Sequence, residues 1–273
     1  NYADLVIKGQ SEEEVFLSTY ICHPSMGNNE LSGPVVSTAL AQWVKALENP
    51  YYTYRFVFLP ETIGSIVYLS KHLEHLKKNM IAGFNVTCVG DDRCYSFMPS
   101  RNGKTLSDKV GKHILKSIDP EFKKYTWLDR GSDERQYCAP GVDLPVTSIM
   151  RSKYDEYPEY HTSLDDLSLI SQKGLEGGFN ALLRCLEAIE FNCFPKALIL
   201  GEPQLGKRGL YPDTSTKEST DAVRSMMDLL SYSDGSLDLV EIAEIINTPV
   251  WELYEIVNNL VTHGILDSPK DQV

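Results

Sequence analysis

Apolar positions along the chain fall into short continuous runs separated by stretches of helical spacing. Residues 15–21 (Val-Phe-Leu-Ser-Thr-Tyr-Ile) have the length and composition of a buried strand. The run stops at Cys22-His23-Pro24-Ser25 and a loop rich in Gly and Asn. After Ser32-Gly33-Pro34, the residues Val35, Val36, Ala39, Leu40, Trp43, Val44 and Leu47 recur on one side of a helix. The alternation then repeats. A strand over 54–59 ends at Pro60-Glu61-Thr62, and a helix over 63–76 carries Ile66, Leu69, Leu73 and Leu76 on one face. A third strand over 80–89 closes with Gly90-Asp91-Asp92-Arg93. Further on, the pattern predicts a helix over about 105–118, a strand over 143–150, a loop over 151–167 and a long helix over 171–191. Strands alternating with helices predict an α/β fold: a mixed, mostly parallel sheet with helices on both faces. Leu5-Val6-Ile7 reads as a strand edge at the very start, and Asn1 is not Met, so the expectation is that the parent protein continues upstream.

From about 195 to 220 the composition turns to Gly, Pro, Lys, Ser and Thr, which reads as a connection. Three short helical patterns follow, over 221–230, 239–246 and 250–262. Thr248-Pro249 supplies a helix cap with Pro at the first helical position, and Gly264-Ile265-Leu266 opens a wing. The expected organisation is an α/β domain over 1–205 and a winged-helix-like domain over 206–273. Charge narrows the role of the second. From Ser219 onward two basic residues, Arg224 and Lys270, face ten acidic ones. Such a module repels a phosphate backbone, so packing or protein contact is expected of it rather than DNA binding. A homo-oligomer is compatible with that role.

The whole chain carries a net charge of −12, which weighs against nucleic acid and anionic membranes as partners. No apolar run approaches the roughly 20 residues of a membrane span. The six cysteines include no CxxC pair, which suits free thiols in a reducing cytoplasm.

Candidate chemistry gathers just past the strand ends, where open α/β sheets place their sites. His23 and Glu30 follow the first strand, Glu61 the second and Asp91-Asp92 the third, while Asp133-Glu134-Arg135 and His161 come from later loops. A metal hydrolase needs about three protein ligands, a position for water and a carboxylate to take its proton. His23, Glu30 and His161 can supply the ligands and Glu61 the base. Taken singly, each also has a plain reading, since loop polar groups cap helices and acids at helix starts meet the dipole. His72 and His75, among Lys71, Glu74, Lys77 and Lys78, read as a solvated helix face.

Taken together, the stretches resemble the M28-type zinc aminopeptidases, and more closely their aminopeptidase-like relatives of polysaccharide-biosynthesis context. Cys22-His23-Pro24-Ser25 resembles the segment of the first ligand His. Asn29-Glu30-Leu31-Ser32-Gly33 is similar to the metal-bridging Asp-Asn-x-Ser-Gly segment, and Leu59-Pro60-Glu61-Thr62-Ile63-Gly64 to the Glu-Glu-x-Gly segment. Tyr160-His161-Thr162 through Asp165 resembles the last ligand loop, and 131–146 the Ser-Asp…Gly-(Ile/Val)-Pro stretch.

Three positions depart from that pattern. Asn29 stands where the bridging Asp would be, Thr62 replaces the second Glu, and Thr87 occupies the position of a strand-end Asp ligand. Neutral oxygens are poor substitutes for anionic ones on a divalent cation. The resemblance therefore implies one zinc rather than two, on His23, Glu30 and His161, with water at the fourth position and Glu61 as general base. A Tyr hydroxyl from Tyr154, Tyr157 or Tyr160 would meet the oxyanion, and Arg135 or Arg151 a substrate carboxylate. Asn29, Thr62, Thr87, Asp133 and Asp165 would support the site. The implied activity is cleavage of an amide bond in a small peptide or N-acylated substrate, aminopeptidase-like or N-deacylase-like. The competing expectation, favoured by the three neutral positions, is an inactive relative serving as a binding or assembly module.

Overall fold

The computed structural model describes residues 1–204, 206 and 217–267. Their contacts divide into two units between Leu186 and Glu187. In the first, strands β1 (Ala3–Ile7), β2 (Glu14–Tyr20), β3 (Thr53–Leu59), β4 (Met80–Asn85), β5 (Ser96–Met98), β6 (Lys123–Lys124) and β7 (Val146–Met150) form one sheet. Helices α1 (Ser32–Ala46), α2 (Ile63–Asn79), α3 (Leu106–Ile118), the single turn α4 (Glu134–Tyr137) and α5 (Gln172–Glu190) connect or follow them.

The strand order is β1-β3-β2-β4-β7-β5-β6. β2 pairs in parallel with β3 and β4, and β4 in parallel with β7. β1 and β5 run antiparallel to β3 and β7, so the sheet is mixed but parallel at its centre. Every residue of β2 is buried, the mark of a strand covered on both faces. Phe16, Val57, Leu59, Tyr68, Leu76, Tyr137 and Val146 belong to one buried cluster joining strands to α2 and α4. Each such side chain contributes roughly 1.5–3 kcal/mol by leaving water.

The path of the chain fixes where a site can form. From β2 it passes through α1 to β3, then through α2 back across to β4 on the other side of β2. That reversal opens a crevice at the carboxyl ends of β2 and β4. Gly33 at the start of α1 seats the helix there, since a Cβ on it would lie 2.5 Å from the carbonyl oxygen of Val86.

The third strand stops at Asn85 instead of reaching 89. Val86 still donates to the carbonyl of Ser18, but Cys88 turns to φ 51°, which ends the pleat. β5 and β6, two short pairings at the far edge, carry no strand signal in the sequence. The expected solvated face at His72 and His75 is half-buried instead. His75 Nε2 lies 2.8 Å from Glu14, which also holds Arg55, and His72 meets the Tyr2 hydroxyl.

The second unit contains α6 (Lys217–Ser231), α7 (Leu239–Ile245) and α8 (Leu253–Thr262). Asp238 and Glu241 form a capping box that starts α7. Pro249 is the cap of a 3-10 turn, Val250–Glu252, rather than its first residue, and the Thr248 hydroxyl donates backwards to Ile246. Leu229, Leu239, Ile242, Leu253, Leu260 and Ile265 are buried. Leu266, at the expected wing, bridges antiparallel to Ala197. Residues 196–198 thus hydrogen-bond within this unit, although their composition reads as a connection and the expected first domain runs to 205. The rest of the expected wing, and 205 and 207–216 of the expected connection, lie outside the described residues. Among the described residues no helix is long and apolar enough to cross a membrane.

Candidate metal centre

Beyond β2 the backbone makes a single π-helical turn, Gly27–Leu31, closed by the Leu31 amide donating to the Met26 carbonyl at 3.2 Å. Such turns leave amides at their start without partners. Asp165, from the loop after β7, supplies them. Its carboxylate accepts from the amides of Asn28 at 2.6 Å and Asn29 at 3.1 Å and from the Tyr157 hydroxyl at 2.8 Å, and its carbonyl accepts from Gly27. A Cβ at Gly27 would sit 2.6 Å from the Asp166 carbonyl, so only glycine permits this approach. The turn carrying Glu30 and the loop carrying His161 are therefore fastened together.

Within this frame, His23 Nδ1 lies 2.7 Å from Oε1 of Glu30, and Glu30 is 3% exposed. The other oxygen of Glu30 accepts from the Cys22 amide at 2.7 Å. The His161 ring stacks on Tyr160 at 3.9 Å between centroids and lies 4.6 Å from the His23 ring. Burial, then the neighbouring His23, lowers the pKa of His161 and favours its neutral, ligand-competent form. His23 and Glu30 thus touch, and the His161 ring lies beside that of His23.

Glu61 arrives from the carboxyl end of β3, its Oε2 4.0 Å from the Cys22 sulfur. Partial burial raises its pKa; Arg135 and His23 oppose the rise, and Glu30 and Glu134 add to it. A carboxylate shifted up in this way is a stronger proton acceptor than an ordinary one. Its neighbour Thr62 sits at φ 61°, and this turn is pinned from two sides. The Thr62 amide donates to Asp133 at 2.7 Å, and Arg135 donates to the Thr62 hydroxyl at 2.7 Å. Burial pushes the Asp133 carboxyl up to about 7, and its Oδ2 has no partner among the described residues. Thr62, Cys88 and His161, all non-glycine residues at positive φ, flank the centre; each costs of order 1–3 kcal/mol, a distribution typical of functional sites.

Several expected positions face elsewhere. Asn29 turns inward, its Oδ1 accepting from the Tyr20 hydroxyl at 3.0 Å, while Tyr20 and Thr87 hydroxyls lie 2.6 Å apart and Thr87 donates to the Asn29 carbonyl. These neutral groups contact one another beneath the site, while Asn29 Nδ2 is buried with no partner among the described residues. Arg151 is 4% exposed, donates to the Asp91 carbonyl at 2.8 Å and lies over the Tyr95 ring at 3.8 Å, so it is no open fork for a carboxylate. Tyr154 donates to Glu134 and Tyr157 to Asp165, which leaves Tyr160 as the tyrosine beside the centre.

Sequence reasoning overlooked Cys22. Its sulfur is 3.2 Å from His23 Nδ1 and 3.3 Å from Glu30 Oε1. Among the described residues, Cys22, His23 and Glu30 are the group whose ligand atoms all lie within 4.8 Å of one another. The only available signal was adjacency to His23, and a thiol at the end of an apolar run reads as core. A thiol, an imidazole and a buried carboxylate converging at this spacing fit one divalent cation.

Fold and site together define an aminopeptidase-like α/β unit joined to a winged helix. The chain belongs to the family described as a domain of unknown function, DUF4910, whose model matches residues 1–192; a winged helix-turn-helix model matches 194–268. A Clostridium acetobutylicum protein, provisionally named for polysaccharide biosynthesis with an aminopeptidase-like domain, is 39% identical over 253 residues, 89% of this chain and 56% of that protein. A crystal structure from the same organism, provisionally described as a peptidase, superposes with a TM-score of 0.89 at 36% identity, covering 97% of this chain and 60% of the other. The chain thus spans somewhat over half the length of these relatives. The zinc aminopeptidase BSAP of Bacillus subtilis shares the fold, with a TM-score of 0.57 at 17% identity over 69% of this chain and 49% of its own.

Proposed function

We propose that the first unit is a metal-dependent hydrolase that cleaves an amide bond in a small peptide or N-acylated substrate. The observation that carries this reading is the convergence of His23, Glu30, His161 and Glu61 at the switch point of the sheet, with the Glu61 pKa raised. His23 and Glu30 would hold a single cation, zinc by analogy of fold, with His161 beside it. When bound, the ion would supply Lewis-acid polarisation of a carbonyl and acidify a water. Glu61 accepts the proton of the attacking water and returns it to the leaving nitrogen. Asp133 and Arg135 fix the turn that aims Glu61. The Tyr160 hydroxyl is the group available to donate to a developing oxyanion. The neutral positions 29, 62 and 87 favour one ion over two, because they offer no carboxylate to bridge a pair. Six free cysteines suit a cytoplasmic setting, and the acidic winged helix suits a protein partner or a second copy rather than DNA.

The test is elemental analysis of the purified chain and of His23→Ala, followed by amide hydrolysis assays on wild type and Glu61→Gln. About one zinc per chain, lost in His23→Ala, with hydrolysis falling about 10²–10⁴-fold in Glu61→Gln while the metal remains, supports the reading. The second reading, an inactive binding module, is favoured by the neutral side chains at 29 and 87, which hydrogen-bond with Tyr20 and each other rather than facing His23. It gains if the chain folds, takes up no divalent ion when supplied, and hydrolyses no amide.

A further inference from the structure

We propose that Cys22 is the third protein ligand of the metal, so that the ion sits on a face made by Cys22 Sγ, His23 Nδ1 and Glu30 Oε1, and His161 flanks the open corner without coordinating. This rests on the metal-hydrolase reading and specifies its ligand set. Tetrahedral zinc with bonds of about 2.3 Å to sulfur and about 2.0–2.1 Å to nitrogen and oxygen holds its ligand atoms roughly 3.5 Å apart for sulfur pairs and roughly 3.3 Å for nitrogen and oxygen. The three atoms form a triangle with edges of 3.2, 3.3 and 2.7 Å. The two sulfur edges already approach the tetrahedral values, and the short edge is a hydrogen bond that opens by roughly half an ångström once a cation replaces its proton.

Charge supports the same set. With positions 29, 62 and 87 neutral, Glu30 is the one anion among the described residues that touches His23. A Cys22 thiolate and the Glu30 carboxylate together neutralise a dication, whereas Glu30 with two imidazoles leaves one positive charge. Binding then releases the Cys22 proton to solvent, forming the sulfur–metal bond and breaking S–H. Cys22 Sγ also lies 4.0 Å from Oε2 of Glu61, so the proposed ligand and the base are neighbours. Three protein ligands leave one corner for substrate or water, as catalytic zinc sites do. His161, held at φ 55° and stacked on Tyr160, then walls that corner.

Cobalt(II) substitution tests the assignment without reference to activity. Wild type, Cys22→Ser and His161→Ala are each titrated with Co²⁺ and read by absorption. The expected result is one Co²⁺ per wild-type chain with a near-ultraviolet thiolate-to-cobalt charge-transfer band. Cys22→Ser should lose that band and bind at least about tenfold more weakly, and His161→Ala should keep it. In parallel, Zn²⁺ should shield Cys22 of the wild-type chain from alkylation by iodoacetamide, read by peptide mass spectrometry, a measurement that needs no variant to fold. Stoichiometric Co²⁺ without the band, a band that survives Cys22→Ser, or unchanged alkylation with Zn²⁺ bound would overturn the Cys22 assignment and leave the metal site standing. No Co²⁺ or Zn²⁺ bound by wild type would overturn the hydrolase reading itself, and the ligand assignment with it.

Discussion

Replacing Asp165 by Ala isolates the device that joins the two ligand-bearing loops. The carboxylate is 1% exposed and accepts from two amides and a phenol, at 2.6, 3.1 and 2.8 Å. Truncation leaves all three donors without that acceptor. A hydrogen bond to a charged acceptor is worth about 1.5–3 kcal/mol, and a stranded buried donor costs a comparable amount. The three share one acceptor and a water can enter the space, so the terms do not simply add; about 3–5 kcal/mol is expected. For a unit the size of Asn1–Leu186 that lowers the melting temperature by roughly 10 °C. Differential scanning calorimetry reads the global effect. Hydrogen exchange of the peptide spanning 22–33 reads the local one, with the Asn28 and Asn29 amides losing protection. Asp166→Ala is the control, since among the described residues that exposed side chain bonds Ser168 alone, and it should melt as wild type does. If Asp165→Ala melts within about 2 °C of wild type and those amides exchange unchanged, the turn is not held as described.

Three further outcomes follow from the geometry. Burial raises the Asp133 carboxyl to about 7, so the folded state binds a proton that the unfolded chain releases near pH 4, and this group's penalty on stability grows as pH rises from about 4 to 7 and stays above it. Asp133→Asn should therefore gain stability relative to wild type across that window in urea titrations, and a pH-independent difference would contradict the burial argument. Arg135 favours the ionised form of Glu61, so Arg135→Ala should raise the Glu61 pKa and move the acid limb of the hydrolysis profile to higher pH; a limb that stays put would remove Arg135 from the site. Arg151→Ala should cost about 2–4 kcal/mol of stability, because it empties the space over Tyr95 and strips the Asp91 carbonyl of its donor, with KM little changed; a selective rise in KM at full stability would restore it as a substrate clamp.

The central strands and their helices were legible because burial on both faces writes continuous apolar runs, as at Phe16-Leu17 and Phe56-Val57. His23 and Glu61 stand out as candidates because strand ends in an alternating α/β chain converge on one edge, and His161 because its loop resembles a ligand loop. What escaped depended on contacts between distant residues. Arg151 looks like a surface cation until Asp91 and Tyr95, some sixty residues earlier, are seen to enclose it. The early end of β4 reflects the backbone turn at Cys88, a residue type with no preference for positive φ. The π turn has no composition of its own; its amides are satisfied by an aspartate more than a hundred residues away.

That turn also bears on how relatives of this chain should be compared. Column by column, position 29 holds an amide where a bridging acid is expected, and the chain would be scored as having lost its carboxylate. In space, the side chain that reaches His23 is the next one along, Glu30, while Asn29 is spent on Tyr20 and Thr87. A search template for this branch should therefore place the acid one position later and tolerate an amide before it. Judged by alignment columns alone, a chain with this arrangement would be discarded as degenerate.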